Sequence, residues 1–185
     1  MMRVVALTGA GISKSAGIPT FEEVEGLKDK LSVEFKDEHP EEFEEALNQL
    51  KESVADKEPT IAHKALAELQ IPIITMNVDG LHRKAGSKVV YEIHGRAHDD
   101  SIVLYGQDIQ KRDEVITLIA RTAKIAKDEN EKSLLLIIGT SMQTAFANIL
   151  AWLAKEEGME VHYINDNADI EVPKFLKENV FLPRN

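Results

Sequence analysis

The sequence contains no cysteine. That excludes disulfide bridges, cysteine-ligated zinc, iron–sulfur clusters and thiol nucleophiles. It fits a reducing compartment, and a cytoplasmic location is the expectation. Basic residues are scarce: 22 Lys and Arg stand against 32 Asp and Glu, a formal charge of −10. Phosphate backbones are held by Lys and Arg, so nucleic acid is not an expected partner. Long hydrophobic runs are missing too. No stretch approaches the roughly 18 apolar residues that a membrane span requires. The apolar run in Met1–Thr8 is too short for a secretory signal. There is no internal repeat and no low-complexity linker.

What is there is a chain of 185 residues, 43% apolar and 29% charged. That suits one globular domain, on a norm of roughly 100–200 residues per domain. Short apolar runs recur at Val4–Thr8, Ile71–Thr75, Val89–Ile93, Ile102–Tyr105, Leu134–Gly139 and Val161–Ile164. Most are apolar on both faces, the pattern of buried parallel strands. Helical patterns alternate with them. Ile61, Ala65, Leu66 and Leu69 share one face after Pro59, with Thr60 as N-cap. Further helices are expected at Ile109–Lys127, Ala145–Glu157 and Glu171–Lys177. The alternation points to an α/β fold with a doubly wound parallel sheet. Residues of about 22–58 break the rhythm and read as a small helical insertion, with Phe43, Leu47 and Leu50 on one face. Its acidic run Asp37–Glu45 reads as the solvated start of a helix, or as a docking surface for basic peptides.

Chemistry gathers at the carboxyl ends of these strands. Gly9-Ala10-Gly11-Ile12-Ser13 follows the first strand and should open a helix, where glycine lets phosphate approach the backbone. Lys14 stands where a dehydrogenase fingerprint needs its third glycine, and no Gly-Lys-Ser/Thr closes a Walker loop. Gly17-Ile18-Pro19 delivers Phe21 near the same place. Asn77 and Asp79 end the second strand run and His94 lies just beyond the third, where an imidazole is well placed as a general base. Gly139-Thr140-Ser141 and Asn165 end later strands. His63 and His82 read as structural, and His94 with His98 is no convincing metal pair, so no metal site is expected.

In this order the motifs resemble the sirtuin family. The resemblance runs through Gly9–Ser13, Gly17–Pro19 with Phe21, Pro59–Leu66, Thr75–His82, Glu92–Gly95, Val103–Gly106, Gly139–Ser141 and Ile164-Asn165. It implies a Rossmann-like fold that binds NAD and removes acyl groups from lysine, releasing nicotinamide and O-acyl-ADP-ribose. It also implies residue roles. His94 would be the base on a ribose hydroxyl, Asn77 would hold a water and the ribose, and Asp79 would meet the nicotinamide carboxamide. Gly9, Ala10, Gly11, Ile12, Ser13, Phe21, Met76, Gly139, Thr140, Ser141 and Asn165 would contact the cofactor. An acylated-lysine peptide or protein would be the partner. Two other readings of the same site are NAD glycohydrolysis or ADP-ribosyl transfer, and non-enzymatic NAD or ADP-ribose sensing.

The chain departs from the family in three ways. Only Arg96-Ala97-His98-Asp99-Asp100-Ser101 separates Gly95 from Ile102, where the family carries a four-cysteine zinc module that walls the peptide cleft. Thr20-Phe21-Glu22 replaces Asp-Phe-Arg, which reverses a charge near the NAD phosphates, an unfavourable change unless Glu22 points away or another cation, with Lys14 and Arg96 as candidates, substitutes. Met76 and Gln107 replace Gln and Glu, and Met142–Phe146 lacks the family's Val-x-Pro.

Overall fold

The structure, a computed structural model, describes residues 2–19, 23–24, 26–99, 101–141 and 144–180. Five strands form one sheet: β1 (Met2–Thr8), β2 (Ile73–Thr75), β3 (Val90–Glu92), β4 (Lys132–Ile138) and β5 (Glu160–Ile164). All are parallel, in the order β3-β2-β1-β4-β5. The helices are α1 (Leu27–Lys30), α2 (Val33–Glu38), α3 (Pro40–Ala55), α4 (Ile61–Glu68), α5 (Leu81–Lys84), α6 (Arg112–Asp128), α7 (Ala145–Glu156) and α8 (Ala168–Asn179).

The apolar runs explain the layering. In β1 and β4, which pair along seven residues, successive side chains point to opposite faces and both faces are covered. Val4, Ala6, Leu134, Leu136 and Ile138 pack against Ala62 and Leu66 of α4 and Val172 and Leu176 of α8. Val5, Leu7, Leu135 and Ile137 pack against Val115 and Ile119 of α6 and Phe146 and Leu150 of α7. Each fully buried Leu or Ile contributes about 1.5–3 kcal/mol, enough for this core to fix the strand register. From β1 the chain builds outward to β2 on one side and later to β5 on the other. The crevice between the ends of β1 and β4 is therefore the topological switch point, where ligands bind in such sheets.

The expected insertion is helical: α1, α2 and α3 lie between the first glycine turn and α4. Leu27, Leu31, Phe43, Leu50 and Val54 form a third cluster with Val78, Ala97 and Leu104, so the insertion packs onto the loops at the carboxyl ends of β2 and β3. One expectation fails here. Ile102–Tyr105 is not a strand of the sheet; it makes an isolated parallel bridge from Tyr105 to Ser32. Its apolar residues face the insertion instead, with Leu104 buried beside Leu31. The connection from Gly95 contains a short 3-10 turn, Ala97–Asp99.

Candidate active site

Three glycines shape the crevice. A 3-10 helix, Ala10–Ala16, follows β1 and ends at Gly17, whose φ of 75° is left-handed. A Cβ on Gly9 would lie 2.8 Å from the Gly139 carbonyl oxygen, and one on Gly11 would lie 2.6 Å from Gly139 Cα. Gly139 itself has a φ of +61°, and a Cβ there would sit 2.4 Å from the Ile12 nitrogen. The N–H groups of these glycines are already used. Gly9 donates to Ile138 O at 2.9 Å, Gly11 to Gly139 O at 2.8 Å and Gly139 to Ile164 O at 2.9 Å. The space these glycines leave is what close approach to the backbone requires, while their own N–H groups are engaged within the chain.

Above them lies an open cleft of about 550 Å³, lined by Gly9, Ala10, Gly11, Met76, Asn77 and His94 on one side. Gly139, Thr140, Ser141, Thr144 and Asn165 line the other. A smaller cavity of about 80 Å³ adjoins it and shares Ala10 and Asn77. Ser13, Asn77 and Asp79 line it together with Gln49 and Ser53 of α3, and Ile18, Val24, Leu27, Leu50, Val54 and Val78 are its apolar walls. The site residues expected from sequence therefore divide between two connected spaces. Ile12 is placed differently: its side chain is buried in the sheet core, leaving only its peptide group near the crevice. Phe21, with Thr20 and Glu22, lies outside the described residues.

A hydrogen-bond network joins the two spaces. Asn77 Nδ2 donates to Gly9 O and to Ser13 Oγ, both at 3.1 Å. Ser13 Oγ donates to Asp79 Oδ2 at 2.7 Å, and Asp79 Oδ1 accepts from Leu81 N at 2.9 Å. Beneath them two imidazoles stack at a tilt, His63 and His82, with ring centroids 4.5 Å apart. His82 Nε2 pairs with Thr8 Oγ1 at 2.9 Å. Thr60 caps α4 in a reciprocal capping box with His63, and its hydroxyl reaches Ile12 O at 3.2 Å. Burial pushes the His63 ring down to about 4, opposed by the charges of Asp79 and Asp169, and burial pushes His82 well below its usual value. Both are structural imidazoles, kept neutral.

His94 differs. It lines the open cleft two residues beyond β3, and burial lowers its pKa, so the ring is neutral and able to accept a proton at neutral pH. Beside it runs the segment after Ser101, whose Val103 N–H donates to His94 O at 2.9 Å and whose Tyr105 lines the cleft. Of the two candidate cations, Lys14 lines the cleft and pairs with Glu23 at 3.2 Å. Arg96 is turned to Asp99 and Glu92 instead. Sequence reasoning missed Lys28, which lines the cleft with its Nζ 5.3 Å above the Tyr105 ring. It also missed the back wall from α3, Leu50 and Val54. The apolar stripe of α3 was visible in the sequence; its target was not. Among the described residues no cluster of three or more His, Asp or Glu side chains could hold a metal ion, and no helix is long and apolar enough to cross a membrane.

The cradle fits a dinucleotide: two strand ends drawn together by glycine, hydroxyls of Thr140 and Ser141 beside them, and a carboxylate–serine pair in the adjoining cavity. A profile of the Sir2 family matches residues 9–114. An NAD-dependent protein deacylase from Helicobacter pylori is 31% identical over 218 aligned positions, covering 100% of this chain and 90% of that protein. An NAD-dependent protein deacetylase from Saccharolobus solfataricus is 29% identical, over 95% of this chain and 91% of its own length. Among solved structures, a Sir2 with a p53 peptide and NAD+ superposes with a TM-score of 0.80 at 24% identity, covering 97% of this chain and 94% of that one. The structural likeness establishes the fold, and the sequence matches establish descent. The chain belongs to the Sir2, or sirtuin, family.

Proposed function

We propose that the chain is an NAD-dependent protein-lysine deacylase that releases nicotinamide and O-acyl-ADP-ribose. The observation that carries this reading is the convergence of Asn77, Asp79 and His94 on two connected spaces at the sheet's switch point. Its relatives named deacylases and deacetylases support it. Residues 1–185 act as one domain in this reading, with the helical insertion forming part of the site, and the enzyme works in the cytoplasm.

NAD supplies a ribose carbon whose bond to nicotinamide breaks as the acyl oxygen attacks. The chain's residues do the rest by position and charge. Gly9, Gly11 and Gly139 admit the pyrophosphate, with Ala10 and Met76 beside it, Thr140 and Ser141 as hydroxyl donors, and Asn165 at the adenosine ribose. Ser13 and Asp79 orient the nicotinamide carboxamide in the smaller cavity, and the peptide group of Ile12 borders it. Asn77 holds the ribose and a water. Phe21 covers the reacting face and excludes bulk water. The acyl carbonyl is a weak nucleophile, so fixed geometry is the main contribution. His94, neutral in its burial, takes the proton from a ribose hydroxyl. The substrate is an acylated lysine of a peptide or protein.

One incubation tests this. The protein is mixed with NAD and an acetyl-lysine peptide, and nicotinamide and O-acetyl-ADP-ribose are quantified. The reading requires both products, each dependent on peptide. Nicotinamide formed equally without peptide marks a glycohydrolase, and tight NAD binding without either product marks a sensor.

A further inference from the structure

Two lysines line the cleft, Lys14 and Lys28, and their surroundings differ. Lys14 belongs to the 3-10 helix that follows Gly9, and its ammonium is paired with Glu23 at 3.2 Å. Lys28 belongs to α1, next to Leu27, which is buried in the insertion's own cluster. Its ammonium lies 5.3 Å from the centre of the Tyr105 ring and has no carboxylate partner among the described residues. The two residues are held together through the main chain. Tyr105 N–H donates to Leu31 O at 3.0 Å, and Tyr105 O accepts from Val33 N at 3.0 Å. Two residues earlier, Val103 N–H donates to His94 O at 2.9 Å, so the pair stands on the His94 side of the cleft. Thr140, Ser141 and Asn165 line the other side. Burial raises the pKa of Tyr105, so its phenol keeps a proton to donate. An ammonium over an aromatic face keeps its charge and its three donors. In a chain of formal charge −10, this one is left uncompensated where the acyl group reacts.

We propose that the acyl group this enzyme removes ends in a carboxylate, and that Lys28 is the cation that pairs with it. The inference rests on the deacylase reading and names its substrate class: lysine acylated by one carboxyl of a dicarboxylic acid, as in Nε-succinyl-lysine. A neutral acetyl group gains nothing from the ammonium. A carboxylate gains a charge-assisted hydrogen bond there, with the Tyr105 phenol as a second donor on the same wall.

The test compares kcat/KM at saturating NAD and low ionic strength for one peptide in three forms. Its lysine carries acetyl, succinyl, or the terminal carboxamide of succinyl, which has the same shape without the charge. Succinyl is expected to exceed the carboxamide by about tenfold, the worth of a hydrogen bond to a charged group. Lys28→Met should bring that ratio to about one, and Lys28→Arg, which keeps the charge, should keep most of it. Added salt should shrink it. The ratio is taken within each variant, so a general loss of activity does not enter. A parent ratio near one, or a ratio that survives in Lys28→Met while the KM for NAD rises or stays, overturns the proposal alone. No deacylated peptide from any of the three forms overturns the deacylase reading and this proposal with it.

Discussion

The Ser13 hydroxyl donates to Asp79 Oδ2 at 2.7 Å and so ties the 3-10 helix after β1 to the turn after β2. The same Asp79 accepts from Leu81 N at 2.9 Å through its other oxygen. Its position is therefore held from both sides before any ligand arrives, which is what a residue that orients a leaving group needs.

In Asp79→Asn the Oδ1 bond to Leu81 can persist, but the carboxylate that faces Ser13 is gone. Nicotinamide exchange is expected to fall about tenfold or more while ADP-ribose affinity stays within about twofold. Labelled nicotinamide exchange and titration calorimetry read the two separately. Equal losses would count against a nicotinamide contact.

His94→Ala should lower kcat about 10²–10⁴-fold with little change in NAD affinity, since a base acts after binding. In the parent enzyme the acid limb of the pH–rate profile should fall below pH 6.5, because burial lowers the ring's pKa from that value and only the neutral form accepts a proton. A limb at or above 6.5 would contradict a buried neutral base.

Gly139→Ala adds a Cβ 2.4 Å from the Ile12 nitrogen at a φ of +61°. The cost is expected at about 2–4 kcal/mol, read as a drop in Tm. Gly86→Ala is the control: its φ is +99° but nothing lies within 4 Å, so only backbone strain of about 1 kcal/mol remains. Similar costs at both sites would mean that the crowding is relieved by a shift of the turn.

The buried imidazole pair makes stability depend on pH. The unfolded His63 binds a proton near 6.5 and the folded one only near 4, so the unfolded state holds more protons between those values. Stability is complete above 6.5 and declines as the pH falls toward 4, by a loss on the order of 2 kcal/mol. His63→Gln keeps a side chain able to complete the capping box but cannot titrate, so it should flatten this dependence. Urea midpoints at the two ends of the range decide it; an unchanged slope would place the sensitivity elsewhere.

Much of this architecture was legible in the sequence because β1 and β4 are apolar on both faces, which only a doubly covered sheet satisfies. The polar ends of the strand runs likewise pointed to Asn77, Asp79 and His94. Ile102–Tyr105 was misleading for a physical reason: an apolar run records that its residues are buried, not which element buries them. Leu104 is covered by the insertion, not by sheet helices. The direction of the Ile12 side chain was likewise not legible. Its neighbours Gly11 and Ser13 line the two spaces, but a 3-10 helix has three residues per turn, so adjacent positions point in different directions and Ile12 enters the core. The contact of His63 with His82 joins residues distant in sequence, and no local pattern encodes it.

The Thr60 hydroxyl that caps α4 also holds the Ile12 carbonyl. That bond links the turn bordering the crevice to the first turn of α4, a helix absent from the lining of both spaces. If ligand steadies the turn at Ile12, the His63 amide, which donates to the same Thr60 hydroxyl, is expected to gain protection against deuterium exchange, a readout that needs no turnover.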